Sequence, residues 1–567
     1  MKLLVVMGAL AAMMCACGRG ESAKEAELQP AGLENVAVGG ELAERISRNF
    51  DRMESPLYQP EQLFWSEEES GGWPADKEGR TILALVMDAR ASGRQPVYLD
   101  TIMAMLPQHL NERGYMGTIH QDVDEQQLSG HGWLLRGLCE YHEWTGDTAA
   151  LDIAKGIAHN LFVPITGRVA DYPITVDKRI GGVGDMSGST QNTVDGWRLS
   201  SDIGCVFIGM EGLIHYYKFD RDPAIRKLID ALIQRFLQID LIGIKAQTHA
   251  SLTALRGIMR YMDITGDRSL LPAVRERWAC YRNHGMTENF ENFNWFDRCD
   301  TWTEPCAVVD SYMVAVQLWQ ATRDPRYLAD AEQIYYNGLC VSQRANGGFG
   351  CDKPVGPEFD DISIHADEAH WCCTMRGGEG LGRVAESSYY VAADTVFVPF
   401  YREGALSLPE FRLVQHTGYP FGDEVAVTVD SASTRDMVLA LPAPEYLKSV
   451  EVSVNGTAVE PERAGGFMFM PERVGAGDEI RIKYELSAEW VAVNHGRGVK
   501  AMYGPLVMAA QGKGGQTEAT LFTLSHAGGV PVLVINESGD TLTPLYHHMS
   551  PSVALDSAYC RTVLFRQ

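Results

Sequence analysis

The stretch CVFIGMEGLIHYYK (205–218) is apolar or aromatic at every third or fourth position and is followed by the polar turn FDRD (219–222). That spacing predicts an amphipathic helix ending in a short turn. The pattern recurs on both sides. AVVDSYMVAVQLWQAT (307–322) runs into TRDP (322–325), and further turns stand at ASGR (91–94), TGD (145–147) and TGD (265–267). RVAESSYYVA (383–392) supplies a late helix. Five or six helical hairpins in one segment predict an (α/α)6 toroid over residues 41–392. The alternative, an open solenoid, needs a constant repeat length, which the turns do not show.

After residue 392 the period changes from helical to two. TVFVPFY (395–401), EVAVTVD (424–430), KSVEVSV (448–454) and DEIRIKYEL (478–486) alternate as strands, and Asn455-Gly456 marks a hairpin turn. Residues 393–567 are therefore expected to form one or two β-sandwich domains without catalytic residues.

A chain of 567 residues is too long for one core, and its composition is that of a folded protein. The net charge of −25 argues against nucleic acid and anionic membrane surfaces and suits a neutral ligand such as a glycan. MKLLVVMGALAAMMCAC (1–17) has the basic start, short apolar run and small residue of an export signal, with Ala16 before Cys17 as in a bacterial lipobox. Lipidation at Cys17 would make the protein a periplasmic or cell-surface lipoprotein of a Gram-negative bacterium. Its membrane contact would then be limited to that anchor, with residues 18–40 as a polar tether.

Twelve cysteines fall to ten once Cys15 and Cys17 are set aside. In an exported protein these either pair, lie buried or bind metal. Cys340 and Cys351 flank a ten-residue loop and are candidates to pair. Vicinal Cys372-Cys373 are poor disulfide partners for each other. With Glu304 and Cys306 they make a Cys3Glu set suited to Zn²⁺. His131, Cys205, His249 and Glu304 with Cys306 each stand about one helix length before a turn, so a toroid would gather them at one mouth.

The order Glu-x-Cys then Cys-Cys resembles the β-L-arabinofuranosidases of glycoside hydrolase family 127 and the related family 146. Supporting segments are TENF (287–290), AEQIYYNG (331–338), SGHGWLLRG (129–137), THASLTALR (248–256) and MYGPLVMAA (502–510). The resemblance implies a retaining glycosidase acting on plant-type glycans. Its Cys372 would be the nucleophile and Glu288 the acid/base. Glu304, Cys306, Cys372 and Cys373 would hold zinc, and His131, His249 and Glu332 would lie near the sugar. Glu291 is a rival to Glu288; only the interval to Glu304 favours the latter. Cys205 stands where a sugar-facing His is expected, and Pro305 replaces a Thr. Two other readings stay open: a toroidal polysaccharide lyase or uronic-acid hydrolase working without thiols, and a glycan-binding surface lipoprotein with a structural zinc.

Overall fold

The computed structural model describes residues 27–64, 72–179, 188–495, 498–511, 518–548 and 560–566. The signal segment and Cys17 lie outside them. The chain divides into two compact units. One is Ala43–Leu318 with Ala329–Arg383 and Ser487–Gln567; the other is Met1–Leu42 with Trp319–Leu328 and Val384–Leu486.

The first unit is built on helices, numbered here in chain order. They are α1 (Gly40–Met53), α2 (Asp76–Ser92), α3 (Leu99–Met105), α4 (Glu125–Thr145), α5 (Thr148–Ile157) and α6 (Val206–Tyr217). They continue with α7 (Pro223–Leu237), α8 (Thr248–Thr265), α9 (Leu271–His284), α10 (Pro305–Thr322), α11 (Pro325–Ile334) and α12 (Cys373–Glu386). The even-numbered helices are buried on nearly all sides and the odd-numbered ones along one stripe, as in an (α/α)6 toroid.

The turn chemistry explains the hairpins. In each TGD, the glycine takes the left-handed conformation that ends a helix: Gly146 at φ 76° donates to the carbonyl of His142, and Gly266 at φ 73° to that of Met262. Asp147 then caps the next helix by accepting the Ala149 N–H at 2.8 Å.

The inner ring closes through small residues. A Cβ on Gly79 of α2 would lie 2.2 Å from the Leu134 nitrogen of α4, so only glycine permits that approach. Gly132 of α4 meets Gly212 of α6, and Gly257 of α8 meets Glu211 of α6. Thr253 of α8 donates to Asp310 of α10 at 2.7 Å. Gly380 of α12 meets Val309 of α10, and Gly382 of α12 meets Met87 of α2.

Charged residues fill the ring's axis. Arg136 pairs with Glu211 (2.9 Å) and Glu379 (2.5 Å), Arg256 with Asp310 (2.5 Å) and Glu379 (3.2 Å), and Arg376 with Asp310 (2.6 Å) and Glu379. All six are fully buried or nearly so.

Residues after Ser487 belong to this helical unit, not to the sandwich. Their strands form a nine-stranded sheet that includes Cys351–Asp352 and Asp361–Ala366. Cys560–Thr562 pairs antiparallel with Asp361–Ser363, which ties the chain's last strand to the helical region.

The second unit holds a seven-stranded and a six-stranded sheet. Strands Glu424–Val429 and Glu479–Leu486 alternate buried and exposed residues, the pattern of a sheet with one face on a core. Asn455 (φ 52°) and Gly456 (φ 77°) form the expected hairpin turn. The stretch read as a tether to residue 40 is structured in its later part. Gln29–Pro30 pairs with Tyr390–Val391, and Val36–Val38 with Gly404–Leu406.

Candidate active site

A cavity of about 600 Å³ opens at the N-terminal ends of the inner helices. Its wall includes His249, Glu304, Cys372 and Cys373 from the sequence expectations. Cys306 sits just behind, fully buried. The pattern places Pro305 and Cys373 at the first residues of α10 and α12, so both helix starts deliver sulfur to one point.

The three sulfurs lie together. Cys306 Sγ is 3.6 Å from Cys373 Sγ, and Cys372 Sγ is 3.2 Å from Cys373 Sγ. These are non-bonded separations, and none of the ten cysteines among the described residues forms a disulfide, Cys340 and Cys351 included. The expected pairing of those two is therefore not formed. Three thiolates around a tetrahedral Zn²⁺, with Zn–S of about 2.3 Å, stand roughly 3.8 Å apart, so the cluster is of the size that holds an ion. Cys306 also belongs to an adjacent group with His249 and Glu304. Burial pushes the thiols of Cys306 and Cys373 well up, so thiolates here need positive charge beside them. Arg80 gives some, donating to Cys306 Sγ at 3.4 Å while its other nitrogens hold Asp76 (2.7 and 3.2 Å). A bound divalent cation fits this donor set.

Glu304 is held from several sides. His249 Nδ1 lies 3.1 Å from its Oε1, Gln247 Nε2 donates to Oε2 at 3.2 Å, and its N–H donates to Asn292 at 2.8 Å. His249 in turn has Nε2 3.3 Å from Asp310 and its ring stacked on Trp133. The site is thus tied to the charged axis below it. Cys372 is the more open of the vicinal pair; Cys373 is fully buried. Trp371, 54% exposed, stands beside Cys372 at the cavity wall.

Three residues of the sequence expectations lie outside the cavity wall. His131 does not reach the cavity. It is fully buried, accepts the Met116 N–H at Nε2 (2.9 Å) and directs Nδ1 to the Gln127 carbonyl (2.7 Å). Burial lowers its pKa to about 4, and both ring nitrogens are used by backbone. Glu332 lies on outer helix α11 and is no part of the wall. Glu288 is fully buried and also absent from the wall. It accepts the His495 N–H (2.6 Å) and pairs with the Lys500 ammonium (3.2 Å). The interval to Glu304 set its distance along the chain, but Phe290 at φ 64° and the Met286–Asn292 bridge fold the loop so that Glu288 turns to the C-terminal sheet. Glu291 is buried with Asn289 and Ser342 and lines no part of the cavity either.

The wall also carries residues that sequence reasoning missed: Trp73, Asp76, Glu78, Asp202, Trp302 and His365. One signal was present. ADKEGR (75–80) sets four charges at the head of the apolar run TILALVM, more than an inner helix otherwise tolerates.

The comparisons agree with this architecture. The profile of the β-L-arabinofuranosidase GH127 catalytic domain matches residues 79–386, and that of the GH127 middle domain residues 395–486. A solved GH127 β-arabinofuranosidase is similar over 96% of this chain and 98% of its own, at 16% identity and a TM-score of 0.69. A GH127 β-L-arabinofuranosidase from Geobacillus stearothermophilus T6 is similar over 94% of this chain and 100% of its own, at 16% identity and a TM-score of 0.69. A further solved glycoside hydrolase gives 14% identity and a TM-score of 0.68 over 96% of this chain and 98% of its own. No curated protein matches by sequence. With the catalytic-domain profile covering more than half of its residues and the toroid carrying a thiol cluster at its mouth, the chain belongs to the GH127 β-L-arabinofuranosidase family and is a glycoside hydrolase.

Proposed function

We propose that the protein releases a β-L-arabinofuranose unit from plant-type glycans with retention of configuration, through a covalent bond between the sugar and Cys372. The observation that carries this is the cluster of Cys306, Cys372 and Cys373 at the cavity, with Cys372 its most open member. Zn²⁺ would be held by Cys306, Cys372 and Cys373 with Glu304, and when bound it supplies the charge that keeps the Cys372 sulfur a thiolate. Arg80 adds a fixed positive charge behind that sulfur group. Gln247 and His249 orient Glu304 and, with Trp302 and Trp371, shape the sugar pocket. Cys372 directly precedes α12 and is the more exposed of the pair, while Cys373, the first residue of α12, is buried; both line the cavity.

The test joins metal analysis to trapping. Purified protein should contain one zinc per chain and hydrolyse aryl β-L-arabinofuranosides. A cyclophellitol-type arabinofuranose mimic should add once, with fragmentation placing it on the first sulfur of HWCCTMR. An adduct on a carboxylate with both thiols free would refute the thiolate mechanism. We further infer export and lipidation at Cys17, supported by the residue 1–17 pattern. Labelled palmitate should enter the wild-type protein and be lost in Cys17→Ala; equal labelling of both would refute it.

A further inference from the structure

We propose that Trp371 is the platform for the leaving part of the glycan: an uncharged sugar ring next to the bond being cut lays its C–H face on the indole. This rests on the glycosidase reading above and adds to it which unit of the substrate the residue holds.

Trp371 is 54% exposed, and no other tryptophan among the described residues is exposed. A single apolar side chain in water is ordinary on a protein surface. Two further observations set this one apart. It stands on the wall of the catalytic cavity, directly before Cys372, and the loop that carries it is pinned.

Glu368 accepts two hydrogen bonds from Arg52 (3.0 and 2.9 Å) and one each from Thr374 and Asn346 (both 2.8 Å). The Tyr58 hydroxyl donates to the His370 carbonyl at 2.7 Å, and the Ala369 N–H to the Phe349 carbonyl at 2.8 Å. The indole is thus offered from a backbone already fixed, which removes the ordering cost that a mobile aromatic side chain would carry into binding. The other tryptophans of the wall are engaged. Trp302 is stacked on His365, with 5.1 Å between ring centroids and 4° between planes, and Trp73 Nε1 donates to the Gly188 carbonyl at 3.0 Å. Trp371 meets His370 at 81° and 5.0 Å, with no ring stacked parallel to it among the described residues.

Depth assigns the sugar unit. Gln247, His249, Glu304 and Cys373 are buried, and His249 reaches Asp310 of the charged axis, so these polar groups mark the cavity's inner end. The unit that bonds to sulfur occupies that end. The rest of the glycan must run out toward solvent, where Trp371 stands. A sugar ring carries C–H groups on its face and hydroxyls around its rim, so the apolar body of an indole binds the face without reading a particular hydroxyl. Among the lining side chains four carboxyl groups, Asp76, Glu78, Asp202 and Glu304, stand against the cations Lys77 and Arg80, which disfavours an acidic sugar here.

The experiment compares β-L-arabinofuranosyl-L-arabinose with methyl β-L-arabinofuranoside as substrates of wild type and Trp371→Ala. Wild type should prefer the disaccharide in kcat/KM by about tenfold or more, and Trp371→Ala should lose about tenfold of that preference. The ratio cancels damage to the neighbouring thiols, which would slow both substrates alike. Trp371→Phe, which keeps a flat ring, should hold most of the preference. A ratio unchanged in Trp371→Ala overturns the proposal, whether both substrates are slowed or neither. Arabinofuranosyl-glucuronic acid cleaved faster than arabinofuranosyl-glucose overturns the choice of an uncharged sugar. A wild-type enzyme that cleaves no arabinofuranoside fails at the glycosidase reading itself and takes this inference with it, whereas an active one tests Trp371 alone.

Discussion

The mouth and the axis of the toroid are made from the same six helices on opposite electrostatic terms. Along the axis, Arg136, Arg256, Arg260 and Arg376 stand among Glu211, Asp310 and Glu379, with five helices contributing. That network is complete within the chain. At the mouth, three thiols and Glu304 share the positive charge of Arg80, which is already paired to Asp76. Thiolates at the mouth would need a bound cation to balance them. A buried charge is tolerated where its partners are covalently part of the fold, and it becomes a binding site where they are not.

The largest expected effect is on the axis. Asp310 accepts from Arg256, Arg376 and Thr253 and lies beside His249. Asp310→Asn leaves two buried guanidinium groups short of charge and should cost about 3–5 kcal/mol, read as a lowered urea midpoint. An unchanged midpoint would mean that the network does not hold the ring together.

Next comes His131, which lies off both regions and calibrates them. Its pKa falls from about 6.5 in the unfolded chain to about 4, chiefly through burial. The folded state therefore requires the neutral ring. Its stabilising contribution is complete above pH 6.5 and is lost as pH falls toward 4, amounting to about 2 kcal/mol by pH 5. Urea midpoints at pH 7.5 and 5 should separate more in wild type than in His131→Gln; equal separations would count against it.

The smallest effect concerns the mouth. Chelation should lower Tm by a few degrees, since of order 1 kcal/mol moves a chain of this size that little or less. Cys306→Ser should abolish the chelator response. A Tm indifferent to chelator in wild type would show that the thiols hold no ion.

The sequence made some of this legible and hid the rest for physical reasons. The hairpins could be read because their turns are decided locally: Gly146 and Gly266 must be left-handed, and Asp147 must cap. Cys306, Cys372 and Cys373 could be read because vicinal thiols are chemically conspicuous. The direction of Glu288 was hidden because it depends on a loop turned by Phe290 and on residues 495 and 500, two hundred positions away. His131 looked like a mouth residue because its place on α4 is right; which backbone groups would claim its ring was not written locally.

The pairing of Val36–Val38 with Gly404–Leu406 also sets a timetable. The first strand leaves the ribosome roughly 370 residues before its partner, which at 5–20 residues per second is a wait of about 20–70 s. Through that interval its backbone groups have no ladder to join, and this edge can close only once Gly404–Leu406 has been made. A chain carried across a membrane as it is made would complete this seam only after most of its length had crossed.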